Sequence, residues 1–323
     1  MKALVTGAAG FVGSRLVEQL LESGWTVRAF DLGRRGEDRP GLEFVEGDIR
    51  DAALVGSAVD GVDVVFHLAA ALGASRLGEE GFRAVNEGGT RTVLGAARER
   101  GVKRAVHFSS AGVLGHVAEN APAEESHGLD PRDAYDRTKL LGEQAALEIG
   151  RQGLDVVVVR PGWAYGPGDR RTFKLIRSIA RGRFLLVGKG AALQTPVFVD
   201  DLARGAILAA EKGRTGEIYN LAGAEAFSVR DMTEAIAEAC GRRLPRVRVP
   251  MGPTRILAGV LGGAFGLIGK EAPLNPSRLA FFLHPKPLAI GKARTELGYA
   301  PKTDFADGLA LTVAWGRRAG WLR

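Results

Sequence analysis

Cysteine is almost absent. The 323-residue chain has one, Cys240, which excludes an intrachain disulfide framework and makes a reducing compartment, the cytoplasm, the default location. With no partner, Cys240 reads as a small core residue rather than a nucleophile. Long apolar runs are missing too: the longest, Ile256 to Ile268, has 13 residues interrupted by glycines, short of the roughly 20 a spanning helix needs. No integral membrane segment is expected, and the opening Met1-Lys2-Ala3-Leu4-Val5-Thr6-Gly7 has no signal-peptide core. The five histidines, His67, His107, His116, His127 and His284, have no metal-ligand spacing, so no metal site is expected. His67 and His107 sit at strand positions and read as satisfied core or pocket-lining residues.

No block of one charge sign stands out. The 44 basic residues face 37 acidic ones for a net charge of +7, and the basic residues, mostly arginines, are scattered among acids. The densest group, Arg242, Arg243, Arg246 and Arg248, reads as a solvated face, not a nucleic-acid patch. A hydrophobic fraction of 46% excludes a disordered chain, and the length suits about two domains.

Apolar runs alternate with helix-like stretches through the first half. The runs are Ala3 to Val5, Thr26 to Phe30, Leu42 to Val45, Val62 to Phe66, Ala105 to Phe108 and Asp155 to Val159. The helix-like stretches include Gly13 to Ser23, Ala84 to Arg100 and Asp133 to Gly150. This order predicts an α/β fold, a doubly wound parallel sheet of the Rossmann type covered on both faces. After Pro161 the pattern changes: turns at Gly166-Pro167-Gly168, a helix near Thr172 to Gly182 and a strand from Gln194 to Val199 predict a smaller, partly inserted substrate domain. The expected division is interleaved, with residues 1–165 and 197–222 binding a nucleotide and residues 166–196 and 223–323 binding substrate.

Thr6-Gly7-Ala8-Ala9-Gly10-Phe11-Val12-Gly13 follows the first strand and opens the first helix. Glycines there give a turn, a close approach of backbone to a pyrophosphate, and a close helix-strand contact, with the diphosphate over a helix N-terminus. Gly7, Gly10, Phe11 and Val12 are therefore candidate cofactor contacts. Asp31 ends the second strand, where a carboxylate accepts from adenosine ribose hydroxyls and repels a 2′-phosphate, favouring NAD. Arg34 and Arg35 follow closely and leave NADP possible.

Tyr135 and Lys139 stand at i and i+4, on one face of a predicted helix. A nearby cation favours the phenolate of a tyrosine that is otherwise a poor base at neutral pH. Ser109-Ser110 closes the strand Ala105 to Phe108. With His67-Leu68-Ala69-Ala70, Val85-Asn86-Glu87-Gly88-Gly89-Thr90, Arg160-Pro161-Gly162, Tyr165-Gly166-Pro167-Gly168, Val199-Asp200-Asp201 and Leu297-Gly298-Tyr299-Ala300-Pro301, the ordered set resembles the extended branch of the short-chain dehydrogenase/reductase superfamily. This branch is the NAD-dependent epimerase/dehydratase family, and the chain looks nearer to its 3β-hydroxysteroid dehydrogenase-like members. The resemblance implies that Ser110, Tyr135 and Lys139 are catalytic. It also implies that Asp48 and Ile49 lie by the adenine, that Leu68, Ala69 and Ala70 line the cofactor, and that Asn86 and Pro161 belong to the cofactor site. Without the family, Asp48 and Asn86 read as turn or cap residues. A homodimer through the helices 84–100 and 133–150 is implied as well.

Departures from the family narrow the substrate. Where sugar-nucleotide dehydratases follow their Ser/Thr with an acidic pair, this chain has Ala111-Gly112. Where epimerases commonly carry an Asn after the Arg-Pro segment, it has Gly162 and Trp163, and Gln194-Thr195-Pro196 stands where many have an arginine. Ile256 to Ile268 and Phe281-Phe282-Leu283 fall in the expected substrate domain and favour an apolar alcohol or ketone, with Arg255 or Arg278 available as a diphosphate clamp in the sugar-nucleotide alternative. A non-catalytic cofactor sensor is the remaining alternative. The intact Ser110, Tyr135 and Lys139 argue against it.

Overall fold

The computed structural model describes residues 1–34, 36–72, 77–118, 121–245, 248–252, 254 and 284–322. The apolar segment 256–268, residues 281–283, Arg35, Arg246, Arg255 and Arg278 lie outside the described residues.

Seven parallel strands form the central sheet: β1 Lys2–Thr6, β2 Thr26–Asp31, β3 Leu42–Glu46, β4 Val64–His67, β5 Arg104–Phe108, β6 Val156–Pro161 and β7 Ile218–Leu221. Their spatial order is β7-β6-β5-β4-β1-β2-β3. The order reverses between β1 and β4, so the crevice above their C-terminal ends is the switch point where open α/β sheets bind ligands. In β6, Val157 and Val159 enter one apolar cluster while Val156 and Val158 enter the other. Burial on both faces is why such strands read as unbroken apolar runs.

The helices are α1 Phe11–Glu22, α2 Ala52–Val59, α3 Glu79–Arg83, α4 Thr90–Glu99, α5 Ala134–Arg151, α6 Arg170–Ala180, α7 Val199–Lys212, α8 Val229–Ala239 and α9 Phe305–Arg318. Leu16 and Leu20 of α1 and Leu202 and Ala206 of α7 cover one sheet face. Val55 of α2, Leu94 of α4 and Ala146 of α5 cover the other. A third cluster joins Phe173 and Ile176 of α6, Met232 and Ile236 of α8, and Leu309 and Val313 of α9 to Tyr165 and Phe198.

Two expected elements differ. The stretch 84–100 is not one helix: a π turn, Ala84–Gly89, joins α3 to α4. Gly89 is packed closely there: a β-carbon would lie 2.3 Å from Ile49 Cδ1, so the tip of that side chain would have to move aside. The strand expected to run to Val199 ends at Phe198, and Pro196–Phe198 pairs with Trp163–Tyr165 outside the central sheet. Val199 opens α7 instead, with Asp200 and Asp201 in the first turn where carboxylates favour the helix dipole.

Buried Arg160 ties the sheet to α5. Its Nε and Nη2 donate to Glu143 Oε2 and Oε1 at 3.0 and 2.6 Å, both side chains being 2% exposed. Nη1 donates to the Glu125 carbonyl at 3.0 Å, and Glu125 Oε1 accepts from Asn220 N in β7 at 2.7 Å. Asn220 Nδ2 donates to the Ala123 and Ala289 carbonyls.

Candidate active site

The glycine loop is shaped by what it cannot contain. Gly7 has φ +73°, and a β-carbon on it would lie 2.7 Å from Ala69 N of the loop after β4. At Gly13 a β-carbon would lie 2.1 Å from the Gly7 carbonyl oxygen, so α1 packs directly on the turn. Helix α1 begins with Gly10 as its N-cap and no side-chain cap, which leaves N–H groups of its first turn open towards the crevice. Phe11 and Val12 in that turn are half-buried. Replacing Gly13 with Ala should cost about 1–3 kcal/mol by overpacking and weaken nucleotide binding, both read by thermal melting with and without NAD. Unchanged NAD affinity in a folded Gly13→Ala protein would remove the loop from the cofactor site.

Asp31, at the end of β2, is half-buried and fixed by the same loop. Its Oδ2 accepts from Ala9 N at 2.8 Å and its Oδ1 from Leu32 N at 2.7 Å. Arg34 is ion-paired with Asp38. Asp48 accepts from the backbone and guanidinium of Arg50, which holds its carboxyl below the usual range. Ile49 is buried against Gly89. Leu68, Ala69 and Ala70 are half-buried just beyond β4, with Leu68 N donating to the Thr6 carbonyl at 3.1 Å and Ala69 N to Thr6 Oγ1 at 3.3 Å. Pro161 ends β6 and pairs with Leu221.

Asn86 is 1% exposed and its amide is fully engaged. Oδ1 accepts from Ala71 N at 2.8 Å, and Nδ2 donates to the Ala71 carbonyl and to Thr138 Oγ1. It staples the loop after β4 to α5.

Ser110 caps the short turn Ala111–Leu114, its Oγ accepting from Gly112 N at 3.0 Å. Tyr135 lies in the first turn of α5, capped by Asp133, whose Oδ1 accepts from Asp136 N. Burial pushes the Tyr135 phenol pKa above the ordinary value, the Arg171 charge of α6 and the Ser110 hydroxyl oppose this, and the Asp136 and Asp133 charges add to it. Lys139 is 4% exposed and its Nζ donates to the Phe108 carbonyl at 2.5 Å. Burial lowers this ammonium from 10.5 to about 8.

The Arg171 charge, from the first turn of α6, also bears on the phenol, and nothing in the spacing of Tyr135 and Lys139 discloses it. In the cofactor-free protein the buried Lys139 ammonium disfavours folding below pH about 8. That cost disappears as pH rises towards 10.5, where the unfolded chain still holds the proton. Lys139→Met should therefore raise stability at neutral pH, with the gain over wild type shrinking between pH about 8 and 10.5. Melting curves of both proteins across that range check it; a pH-independent difference would sink it.

His67 behaves as expected, with Nδ1 bonded to Thr6 Oγ1 at 2.8 Å and Nε2 to Thr90 Oγ1 at 3.0 Å. Burial lowers its pKa to about 3. His107 differs: it is buried beside His67, ring centroids 5.4 Å apart, and neither ring nitrogen has a partner among the described residues. Its burial and the Lys139 charge keep it neutral.

An uncapped helix N-terminus, a glycine turn too tight for β-carbons and a fixed carboxylate at the end of β2 together fit a dinucleotide. The family model for the NAD dependent epimerase/dehydratase family matches residues 3–222. The chain belongs to this family. Like its other members it is an NAD-dependent enzyme of the extended short-chain dehydrogenase/reductase type. It is 36% identical over 332 residues to the 3 beta-hydroxysteroid dehydrogenase/Delta 5→4-isomerase of Mycobacterium tuberculosis, covering 96% of this chain and 88% of that one. It is 34% identical to a dTDP-glucose 4,6-dehydratase of Streptomyces antibioticus, covering 99% and 94%. A dTDP-glucose 4,6-dehydratase structure from Streptomyces venezuelae, solved with NAD, superposes with TM-score 0.79 at 32% identity over 100% and 99% of the two chains. Among the described residues, no helix of this epimerase/dehydratase-family protein is long and apolar enough to cross a membrane.

Proposed function

We propose that the protein transfers hydride between NAD and a secondary alcohol or ketone on an apolar, steroid- or flavonoid-like skeleton, with Tyr135 as the acid/base. The observation that carries the chemistry is the meeting of these residues at the C-terminal end of β5: Ser110 lies in the turn just after the strand, and Lys139, one turn after Tyr135 on α5, donates its Nζ proton to the Phe108 carbonyl. NAD, when bound, supplies or accepts the hydride. Gly7, Gly10, Phe11 and Val12 would hold its diphosphate, Asp31 its adenosine ribose, and Leu68, Ala69 and Ala70 the wall beside it. Asp48 and Ile49 would lie by the adenine, and Pro161 would close the nicotinamide end. Asn86 contributes by fixing the loop after β4.

Tyr135 takes the carbinol proton in oxidation and returns it in reduction, while Ser110 hydrogen-bonds the reacting oxygen. Lys139 holds the nicotinamide ribose, and with that contact made its ammonium favours the phenolate. The apolar substrate rests on two supports: the hydroxysteroid relatives, and Ala111-Gly112 and Gly162-Trp163 standing where diphosphate-sugar enzymes carry polar groups.

In this reading the segments 166–196 and 223–323 form the substrate domain over the nucleotide domain 1–165 and 197–222. The third apolar cluster, which gathers α6, α8 and α9, supports that division for these helices, while Leu288, Ile290, Leu297 and Tyr299 pack into the first cluster beside the sheet. A cytoplasmic homodimer through α4 and α5 belongs to the same reading.

The deciding experiment follows nicotinamide absorbance with purified protein, NAD or NADP, and a panel of hydroxysteroids, flavonoid-like alcohols and sugar nucleotides. Steady NADH accumulation with an apolar alcohol supports the proposal. Conversion of a sugar nucleotide to its epimer without net NAD reduction would favour the epimerase reading and overturn this one.

A further inference from the structure

His67 has no part in the chemistry above, yet both of its ring nitrogens are engaged inside the protein at the end of β4. Nδ1 lies 2.8 Å from Thr6 Oγ1 of β1, and Nε2 lies 3.0 Å from Thr90 Oγ1 at the start of α4. The partners decide which nitrogen carries the proton. Thr90 Oγ1 donates to the Asn86 carbonyl at 2.7 Å, so its only proton is spent and towards the ring it accepts. Burial, with the Lys139 charge, keeps the ring neutral. Nε2 is therefore the protonated nitrogen, and Nδ1 accepts from the Thr6 hydroxyl.

With its proton given to His67, Thr6 Oγ1 is left as the acceptor for Ala69 N at 3.3 Å, and the Thr6 carbonyl accepts from Leu68 N at 3.1 Å. Thr6 is also the residue that leads into Gly7, whose φ of +73° turns the chain into the glycine loop. On the other side Asn86 Oδ1 accepts from Ala71 N at 2.8 Å. The hydrogen bonds Thr6–His67–Thr90–Asn86 thus form a circuit around the segment Leu68 to Ala71, holding it at Ala69 through Thr6 and at Ala71 through Asn86. Helix α5 seals the circuit, because a β-carbon on Gly142 would lie 2.5 Å from the Asn86 carbonyl oxygen and 3.4 Å from Thr90 Oγ1. Thr6, His67, Asn86 and Thr90 are each 1% exposed, so a bond lost here is not replaced from solvent.

We propose that His67 is a positioning residue for the cofactor seat: with its proton on Nε2, it orients the Thr6 hydroxyl towards Ala69 and so fixes the glycine turn against the wall formed by Leu68, Ala69 and Ala70. The role needs a donor at one ring nitrogen and an acceptor at the other, in that order. An apolar ring of similar size supplies neither, and leaves the Thr6 hydroxyl without an acceptor in a dry interior. A further branch of the circuit, Asn86 Nδ2 to Thr138 Oγ1 at 3.0 Å and Thr138 Oγ1 to the Tyr135 carbonyl at 3.1 Å, carries the same constraint into the first turn of α5. The inference rests on the reading of the glycine loop and of Leu68 to Ala70 as the NAD seat, and its test needs no turnover.

Ring-nitrogen NMR of the cofactor-free protein with isotope-labelled histidine reads the tautomer. The chain has five histidines, and the signal lost in His67→Gln assigns this one. A proton on Nε2 is expected; a proton on Nδ1 overturns the proposal. Calorimetric titration of NAD then reads the role. His67→Phe should weaken NAD about tenfold, the scale of one net hydrogen bond. His67→Gln, which again offers a neutral donor and acceptor, should stay within about threefold of wild type. Thr6→Val should weaken NAD as His67→Phe does, and the double variant should be no weaker than the weaker single one, because both act through one bond. Additive losses, which a general loosening of the core would give, overturn the proposal, and so does wild-type affinity in folded His67→Phe. If Phe at 67 prevents folding, Thr6→Val alone decides: the Nδ1 signal must move as NAD weakens, and an unmoved signal or unchanged affinity overturns it. Failure of the seat reading would appear as unchanged NAD affinity in Gly13→Ala and would leave the tautomer result standing.

Discussion

In a Tyr135→Phe protein, NAD binds as in wild type while turnover falls by about 10²- to 10⁴-fold, the range that a positioned acid or base contributes. The phenol is removed without disturbing what holds the loop and helix in place. Asp133 still caps α5, Thr138 still bonds Asn86, and Lys139 still reaches the Phe108 carbonyl. Binding is read by calorimetric titration of NAD and turnover by nicotinamide absorbance with whichever substrate the panel identifies. Wild-type turnover in this variant would remove Tyr135 from the mechanism. Loss of NAD binding along with turnover would assign it a structural role.

The second large effect is on stability. Glu143→Gln leaves the Arg160 guanidinium charged inside the protein without its anion, and should cost about 3–5 kcal/mol in urea denaturation. Little can absorb this: both side chains are 2% exposed, Nη1 is already committed to the Glu125 carbonyl, and the amide oxygen of the introduced glutamine accepts a hydrogen bond but carries no charge. Replacing both members, as Arg160→Met with Glu143→Leu, should recover much of the loss, because two desolvated charges are then removed together. The remaining deficit would report the Glu125 and Asn220 contacts that hang from Arg160. A loss below about 1 kcal/mol for Glu143→Gln would mean that water reaches the pair.

The sheet was readable because its signal is local. Val156 to Val159 are apolar without interruption since each faces one cluster or the other. Asp31 was singled out from its place at the end of β2, and Tyr135 and Lys139 from a four-residue spacing on one helix taken together with the glycine loop and Ser109-Ser110. What the sequence did not disclose are contacts between segments far apart in the chain. The Arg171 charge that bears on the phenol comes from a helix starting 35 residues later, and Lys286 meets Asp136 across 150 residues. Periodicity speaks for the faces of one element and not for which distant charge will stand opposite. The π turn at Ala84–Gly89 was not disclosed either, since its residues read as part of one helix.

The sheet's order also sets a schedule for synthesis. Strands β1 to β6 are complete once residue 161 has left the ribosome, yet β6 has its second neighbour only when residues 218–221 emerge. Throughout that interval the nascent chain carries an open edge made of four consecutive valines, Val156 to Val159, the kind of surface that pairs with other chains. The charged Arg160 in the same strand has its Glu143 partner available early, on the helix just before it. The knot of Asn220, Ala123 and Ala289 closes only after the last third of the chain has been made. A chain cut short before residue 218 should therefore aggregate through β6 rather than persist as a smaller folded unit.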